Sequence, residues 1–456
     1  MNGSHLDDFL RFLSFPSVSA DSAPAYRQGV KECSEWLAGR LRAAGLVPEI
    51  HETPGNPIVV ARNAHAAGLP TVLIYGHYDV QPVDPLALWH HPPFEPHVEN
   101  GIVTARGSAD NKGQILAHIL GVEEGLKEGN GKLPVNLIFL IEGEEEIGSP
   151  NLAPFLEAHK EAFRCDGVVI SDSPMIAPGV PTLTYGLRGV AAMEVSVYGP
   201  AKDLHSGMYG GAVENPVTVL ARLVASLHQA DGSVAVPGFY DGVEPVAAWE
   251  REEWAKLPFG AAELLAASGA PALGGENHLG VHERLWARPT AEVNGLYGGY
   301  QGEGSKTVLP AEAHAKLTFR LVPGQDSASV LAAVEAHLRA KAPGSVRLVV
   351  TPGHAGEAYV TSPITGWGAA AQSALRIAFP GKEIALTREG GSIPIVGDFR
   401  RILGVDTLLL GLCLPDCNAH SPNETFPLAN LEAGIRLNRA LLPELGAIGG
   451  GKPPIK

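Results

Sequence analysis

The sequence predicts an α/β fold: a mixed or parallel sheet covered by helices, interrupted in the chain by a smaller α+β domain. Three observations carry that prediction. The runs 71-TVLIYG-76 and 135-VNLIFLI-141 are apolar throughout, and 167-GVVISD-172 is apolar up to a polar end, as befits strands buried on both faces. Helical patterns alternate with these runs, the signature of a sheet covered on both faces. After Gly186 the character changes: 190-VAAMEVSVYG-199 is longer and partly alternating, which suits a sheet with one exposed face.

Each element has its own justification. Leu6, Phe9, Leu10, Phe12 and Leu13 share one helical face, and Phe15-Pro16 ends that helix. A second amphipathic helix is expected over 27–44, stopped by Gly45. Strands at 57–62 and 71–76 precede a helix over 111–125, the strand 135–141, a helix over 150–163 and the strand 167–172. The insert reads as a strand at 190–199, a helix over 215–230, a strand at 312–323, a helix over 326–341 and a strand at 345–350. Between them, 231–290 is rich in Pro, Gly and Ala and carries Trp249, Trp254 and Phe259 without a legible motif. The α/β pattern resumes with a helix over 366–378, the strand 405–411 and a helix near 428–442. The expected division is therefore 1–187, an insert at 188–355, and 356–456.

Composition bounds the function. At roughly 150 residues per domain, 456 residues call for two or three domains. With 34 Lys and Arg against 49 Asp and Glu, the net charge of −15 argues against nucleic acid and anionic membranes as partners. No apolar run approaches the ~20 residues of a membrane span. The start, MNGSHLDDFLRFLSF, has acids where a signal peptide has basic residues, so the chain reads as cytoplasmic. Cys33, Cys165, Cys413 and Cys417 are too few and scattered for a disulfide scaffold or a zinc ribbon, and read as free thiols.

Five polar segments stand out, four of them after buried strands, where α/β sheets bind ligands. In 75-YGHYDVQP-82, His77 and Asp79 could be a structural hydrogen-bonded pair or a metal ligand with its orienting carboxylate. In 107-GSADNKGQ-114, Asp110 could simply cap a helix. In 142-EGEEEIGS-149, four acids crowd the end of a buried strand, where carboxylates need a cation. Asp172 in 170-ISDSP-174 has turn chemistry as its plain reading, and His420 in 416-DCNAHSPNE-424 could be an ordinary loop histidine. Together, His77, Asp110, Glu145 or Glu146, Asp172 and His420 suit a pair of divalent ions with a bridging carboxylate. One glutamate remains as general base. Such mixed N/O donors suit Zn²⁺ or Mn²⁺ alike.

These segments, in this order and spacing, resemble the aminoacylase/glutamate-carboxypeptidase-like di-metal peptidases, and most closely the branch of carnosine dipeptidases and cytosolic nonspecific dipeptidases. DLHSGMYGG at 203–211, KTVLP at 306–310, FRLVP at 319–323 and REGGSIP at 388–394 match that branch too. The resemblance implies a di-zinc exopeptidase type of fold whose insert is a lid and dimerisation domain. It implies that His77 and Asp172 bind one metal, Glu146 and His420 the other, and that Asp110 bridges them. It implies that Asp79 orients His77 and that Glu145 is the base. His205 resembles a histidine that reaches the partner subunit's site to hold the oxyanion, and Arg320 one that holds the substrate's carboxylate. Thr307, Ser392 and His354 are further substrate contacts. The implied protein is a homodimeric dipeptidase with two divalent ions, Zn²⁺ or Mn²⁺. Its alternatives are an N-acyl-amino-acid deacylase, a desuccinylase or a carboxypeptidase on the same scaffold, or a non-catalytic binding protein.

Overall fold

A computed structural model of the chain describes residues 3–391 and 393–449. They form two units: residues up to Tyr185 with Thr361–Thr387 and the chain from Asp398 onward, and Gly186–Val360 with Arg388–Gly397. The second unit thus takes in a short segment from beyond residue 356. Arg188 explains this: its backbone N–H donates to Glu389 O at 3.2 Å and its Nε to Gly390 O at 3.0 Å.

In the first unit the apolar runs become the centre of a sheet. The order across it is Val47–His51, Ile58–Arg62, Asn136–Glu142, Thr71–His77, Gly167–Ile170, Thr407–Gly411 and Thr182–Leu187. The four strands from Asn136–Glu142 to Thr407–Gly411 are mutually parallel, so their carboxyl ends share one edge. Every residue of Asn136–Glu142 and Thr407–Gly411 is buried, which is why these strands show no polar alternation. Helices Gly113–Glu128 and Leu428–Gly446 pack closely: a Cβ on Gly121 would stand 2.7 Å from Asn438 Cβ and 2.8 Å from Ile435 O, a separation only glycine allows.

Several elements differ from expectation. The expected helix over 111–125 starts at Gly113, because Asp110 is extended (φ −120°, ψ 95°) and lies in a tight turn over Ser108–Lys112. The expected helix over 150–163 is two pieces, Leu152–Ala158 and a 3₁₀ turn at Lys160–Phe163. Strand Thr182–Leu187 and the small sheet of His97–Glu99, Ile102–Thr104 and Thr425–Pro427 escaped notice because such short runs carry no periodic signal.

The second unit is an antiparallel sheet in the order Thr290–Gly298, Glu312–Leu321, Gly189–Tyr198, Arg347–Gly356. Burial alternates along Glu312–Leu321, and Ala315, Leu317 and Phe319 share a core with Leu220, Leu223, Val334 and Leu338 of two helices. Those helices are Pro216–Ala225, capped by Asn215 Oδ1 on Val217 N–H, and Ser327–Lys341, capped by Asp326 Oδ1 on Ser329 N–H. The first stops short of the expected 215–230. The stretch 231–290 holds two short α-helices, a helical turn at Glu283–Ala287 and an aromatic cluster: Trp254 meets Trp286 edge-on at 5.3 Å, and His282 lies 4.6 Å from Trp286. Trp254 and Trp286, both buried, therefore build a local core within this unit.

Candidate metal centre

Four carboxyl strand ends and the loops beyond them, together with the Ser108–Lys112 turn that carries Asp110, deliver the side chains. His77 closes its strand, fully buried, with Nδ1 3.1 Å from Asp79 O and 3.4 Å from Asp79 Oδ1. Its other nitrogen, Nε2, lies 3.1 Å from Asp110 Oδ1 and 3.8 Å from Asp172 Oδ2. Asp110 caps no helix. Its second oxygen, Oδ2, lies 2.9 Å from His420 Nε2, which in turn is 3.4 Å from Glu146 Oε2. Two donor clusters result, His77–Asp110–Asp172 and Asp110–Glu146–His420, each with its atoms within 4.8 Å of one another. Asp110 belongs to both. Glu145 belongs to neither, although it follows the same strand.

Asp79 does more than face His77. Its two oxygens accept the backbone N–H groups of Glu145 (3.2 Å) and Glu146 (3.1 Å), so one buried carboxylate positions the whole glutamate turn. Two orienting partners escaped the sequence reading. Gln81 Nε2 donates to Glu146 Oε2 at 2.8 Å, and Asn111 Nδ2 donates to Asp172 Oδ1 at 2.9 Å. Both lie inside the motif segments, beside the predicted ligands. The neighbouring Glu142 takes hydrogen bonds from Tyr75 and Ser149, both at 2.7 Å, and Glu144 takes one from Asn151 at 2.7 Å; neither joins a cluster.

The electrostatics are those of a site built for cations. Burial pushes Asp172 and Glu146 up to about 8, with the Asp110 charge adding to both. Burial also raises Glu145. The hydrogen bond to Asp110 lifts His420 to about 9. Burial opposes ionisation of Asp110, but His420 and His77 prevail and hold it well below the usual carboxylate range. Crowded, dehydrated carboxylates that favour protons over ionisation lack positive charge, and two imidazoles with three carboxylates are donors that divalent ions accept. The residues fit two ions.

Behind the site, His118 is buried with Nε2 2.9 Å from Ser171 Oγ, and burial lowers its pKa to about 3. The unfolded chain takes up this proton near pH 6.5, the folded one only near 3, so stability falls across that window as pH drops. His118→Gln keeps a polar group facing Ser171 and does not titrate. Its acid-unfolding curve should slope less than the wild type's between about pH 6 and 4. Parallel curves would sink this account.

The other predicted residues that are described lie in the second unit. His205 is exposed and caps Ser206–Tyr209, its Nδ1 accepting from Gly207 N–H at 3.0 Å. The Ser206 N–H donates to Thr307 O at 3.1 Å, which joins the His205 and Thr307 segments. Arg320 is half-buried on Glu312–Leu321, and His354 is exposed on Arg347–Gly356. Ser392 lies outside the described residues.

An α/β sheet whose parallel strand ends converge on two histidine–carboxylate clusters with a shared aspartate defines a di-metal hydrolase. The comparisons narrow the class. Cys-Gly metallodipeptidase DUG1 of Candida albicans is 34% identical over 446 residues, 93% of this chain and 91% of its own. The crystal structure of human carnosine dipeptidase 1 superposes with a TM-score of 0.79 at 29% identity, covering 97% of this chain and 96% of that one. A metallo-carboxypeptidase from Sulfolobus solfataricus gives a TM-score of 0.83 at 31% identity, covering 98% and 100%. Residues 73–444 match the family described as Peptidase family M20/M25/M40, and the chain belongs to it.

Proposed function

We propose that this chain hydrolyses the peptide bond of dipeptides with two divalent ions, Zn²⁺ or Mn²⁺, as a cytoplasmic homodimer. The observation that carries the reading is Asp110 shared by two donor clusters, with the half-buried Glu145 beside them and in neither. His77 and Asp172 would hold one ion, Glu146 and His420 the other, and Asp110 both. Divalent ions so held supply Lewis acidity and make water acidic enough to attack near neutral pH. Glu145 takes the proton of the attacking water and hands it to the leaving amine; the raised pKa that burial gives it suits both tasks. Asp79 keeps His77 and the glutamate turn in place.

The second unit, 188–355 in the sequence reading, acts as lid and dimerisation domain. Arg320 reads the substrate's carboxylate; half-buried on its strand, it has no carboxylate partner of its own among the described residues, so its guanidinium is open to a bidentate one. His205 of one subunit holds the oxyanion in the other, and Thr307, Ser392 and His354 line the substrate. The dimer is supported by Thr290–Gly298, an edge strand on which Val293, Leu296 and Tyr297 are exposed. Among the described residues no helix is long and apolar enough to cross a membrane.

Metal-stripped protein should be inert and regain activity with Mn²⁺ or Zn²⁺ on dipeptides: several L,L-dipeptides, Cys-Gly and β-Ala-His. N-acetyl amino acids and N-succinyl-diaminopimelate should stay intact. Cleavage of the acylated substrates alone overturns the dipeptidase reading. A tripeptide arm addresses the second reading that the Sulfolobus neighbour favours, a carboxypeptidase acting on longer chains.

A further inference from the structure

The loop that carries His420 is irregular. Asn418, His420 and Asn423 all adopt left-handed backbone, with φ of 57°, 63° and 62°. Something beyond local propensity must place the imidazole. Four residues after His420 stands Glu424, fully buried. Its Oε1 accepts the N–H groups of Ala109 (2.8 Å) and Asp110 (3.0 Å). Its Oε2 accepts the N–H of Gly107 (2.8 Å) and Nη1 of Arg106 (2.9 Å). Its own backbone O accepts from Ala105 N–H at 3.0 Å.

Arg106 is buried as well, held by Pro82 O at 3.1 Å and lying 5.2 Å from the Trp89 ring. All four of these donors are therefore saturated by one carboxylate, which clamps the Asp110 turn to the His420 loop across more than 300 residues of sequence. Asn423 adds a strap on the other side of the loop, with bonds to Leu88 O and His90 N–H, but does not touch the Asp110 turn.

From this we infer that Glu424 is a positioning residue: it sets the distance between Asp110 and His420, and so governs the ion shared by Asp110, Glu146 and His420 far more than the one shared by His77, Asp110 and Asp172. This rests on the two-ion reading above. His77 comes from a strand end, and Asp172 from the turn just beyond one. Neither depends on Glu424; of that cluster only Asp110 sits on the clamped turn, and its Oδ1 is also met by His77 Nε2 at 3.1 Å. The second cluster exists only if two irregular loops meet correctly.

Glu424→Gln has nearly the same shape but one acceptor oxygen in place of two. Whichever way the amide turns, it sets N–H groups against donors that then lack an acceptor, and it leaves Arg106 buried without its counter-charge. Glu424→Asp keeps the charge and draws the carboxylate back by one methylene, so it remains informative if the Gln variant does not fold.

The test is calorimetric titration of metal-stripped protein with Mn²⁺, followed by electron paramagnetic resonance at one and two equivalents. The wild type should bind two ions and show the exchange-coupled spectrum of a pair. Each folded variant should bind the first ion as the wild type does and the second about 10–100-fold more weakly, the usual effect of losing a group that orients a ligand. At two equivalents it should show the spectrum of isolated Mn²⁺. Wild-type affinity at both sites, or equal weakening of both, overturns the inference. A wild type that takes up a single ion overturns the two-ion reading, and this inference with it.

Discussion

Glu145→Gln should lower turnover about 10²–10⁴-fold, the range general acid–base groups contribute, while both ions remain bound. The geometry explains why these effects separate. Glu145 lies outside both donor clusters, so an amide there removes no ligand. Its backbone N–H still reaches Asp79 Oδ1 at 3.2 Å, so the turn that aims Glu146 is kept. What disappears is a carboxyl whose pKa burial has raised, able to take a proton from water and return it to an amine. Steady-state kinetics with a metal count on the same sample decides the matter. Near wild-type turnover removes Glu145 from the proton path, and loss of an ion moves it among the ligands.

Asp110→Asn should be as damaging by another route, leaving at most one ion bound and activity reduced about 10³-fold or more, as several kcal/mol of metal-derived stabilisation imply. The two oxygens of Asp110 face opposite ways, Oδ1 to His77 and Oδ2 to His420. An amide has one ligating oxygen, so it can serve one cluster and presents N–H groups to the other. The backbone N–H of residue 110 still donates to Glu424, so the turn itself should persist. Metal analysis after gel filtration gives the count. Two ions retained would show that Asp110 does not bridge.

Much of the architecture was legible because burial on both faces leaves a plain record. Strand Asn136–Glu142 is buried at every residue, and between Asn136 and Glu142 its sequence is accordingly apolar throughout. Strand Glu312–Leu321 was legible for the opposite reason, since its alternating burial follows from a half-exposed sheet. Helix ends were less so. Asp110 has the residue type and position of an N-cap, and only its extended backbone shows that it turns away from the helix toward two histidines.

By itself the sequence determined which residue types could reach the sheet edge. Apolar periodicity marks the strands, and the polar segments directly after them inherit their placement at the carboxyl ends. It also held the motifs that mark the family. Which atoms meet there was decided by tertiary structure alone. In sequence Glu145 and Glu146 are adjacent acids of like character; in space, Asp79 takes both of their N–H groups, and only Glu146 turns its carboxylate to His420. Nor could spacing pair Glu424 with the Asp110 turn, or Gln81 with Glu146. Such hydrogen bonds join loops brought together by distant strands, and a loop's conformation depends on those contacts rather than on its own periodicity.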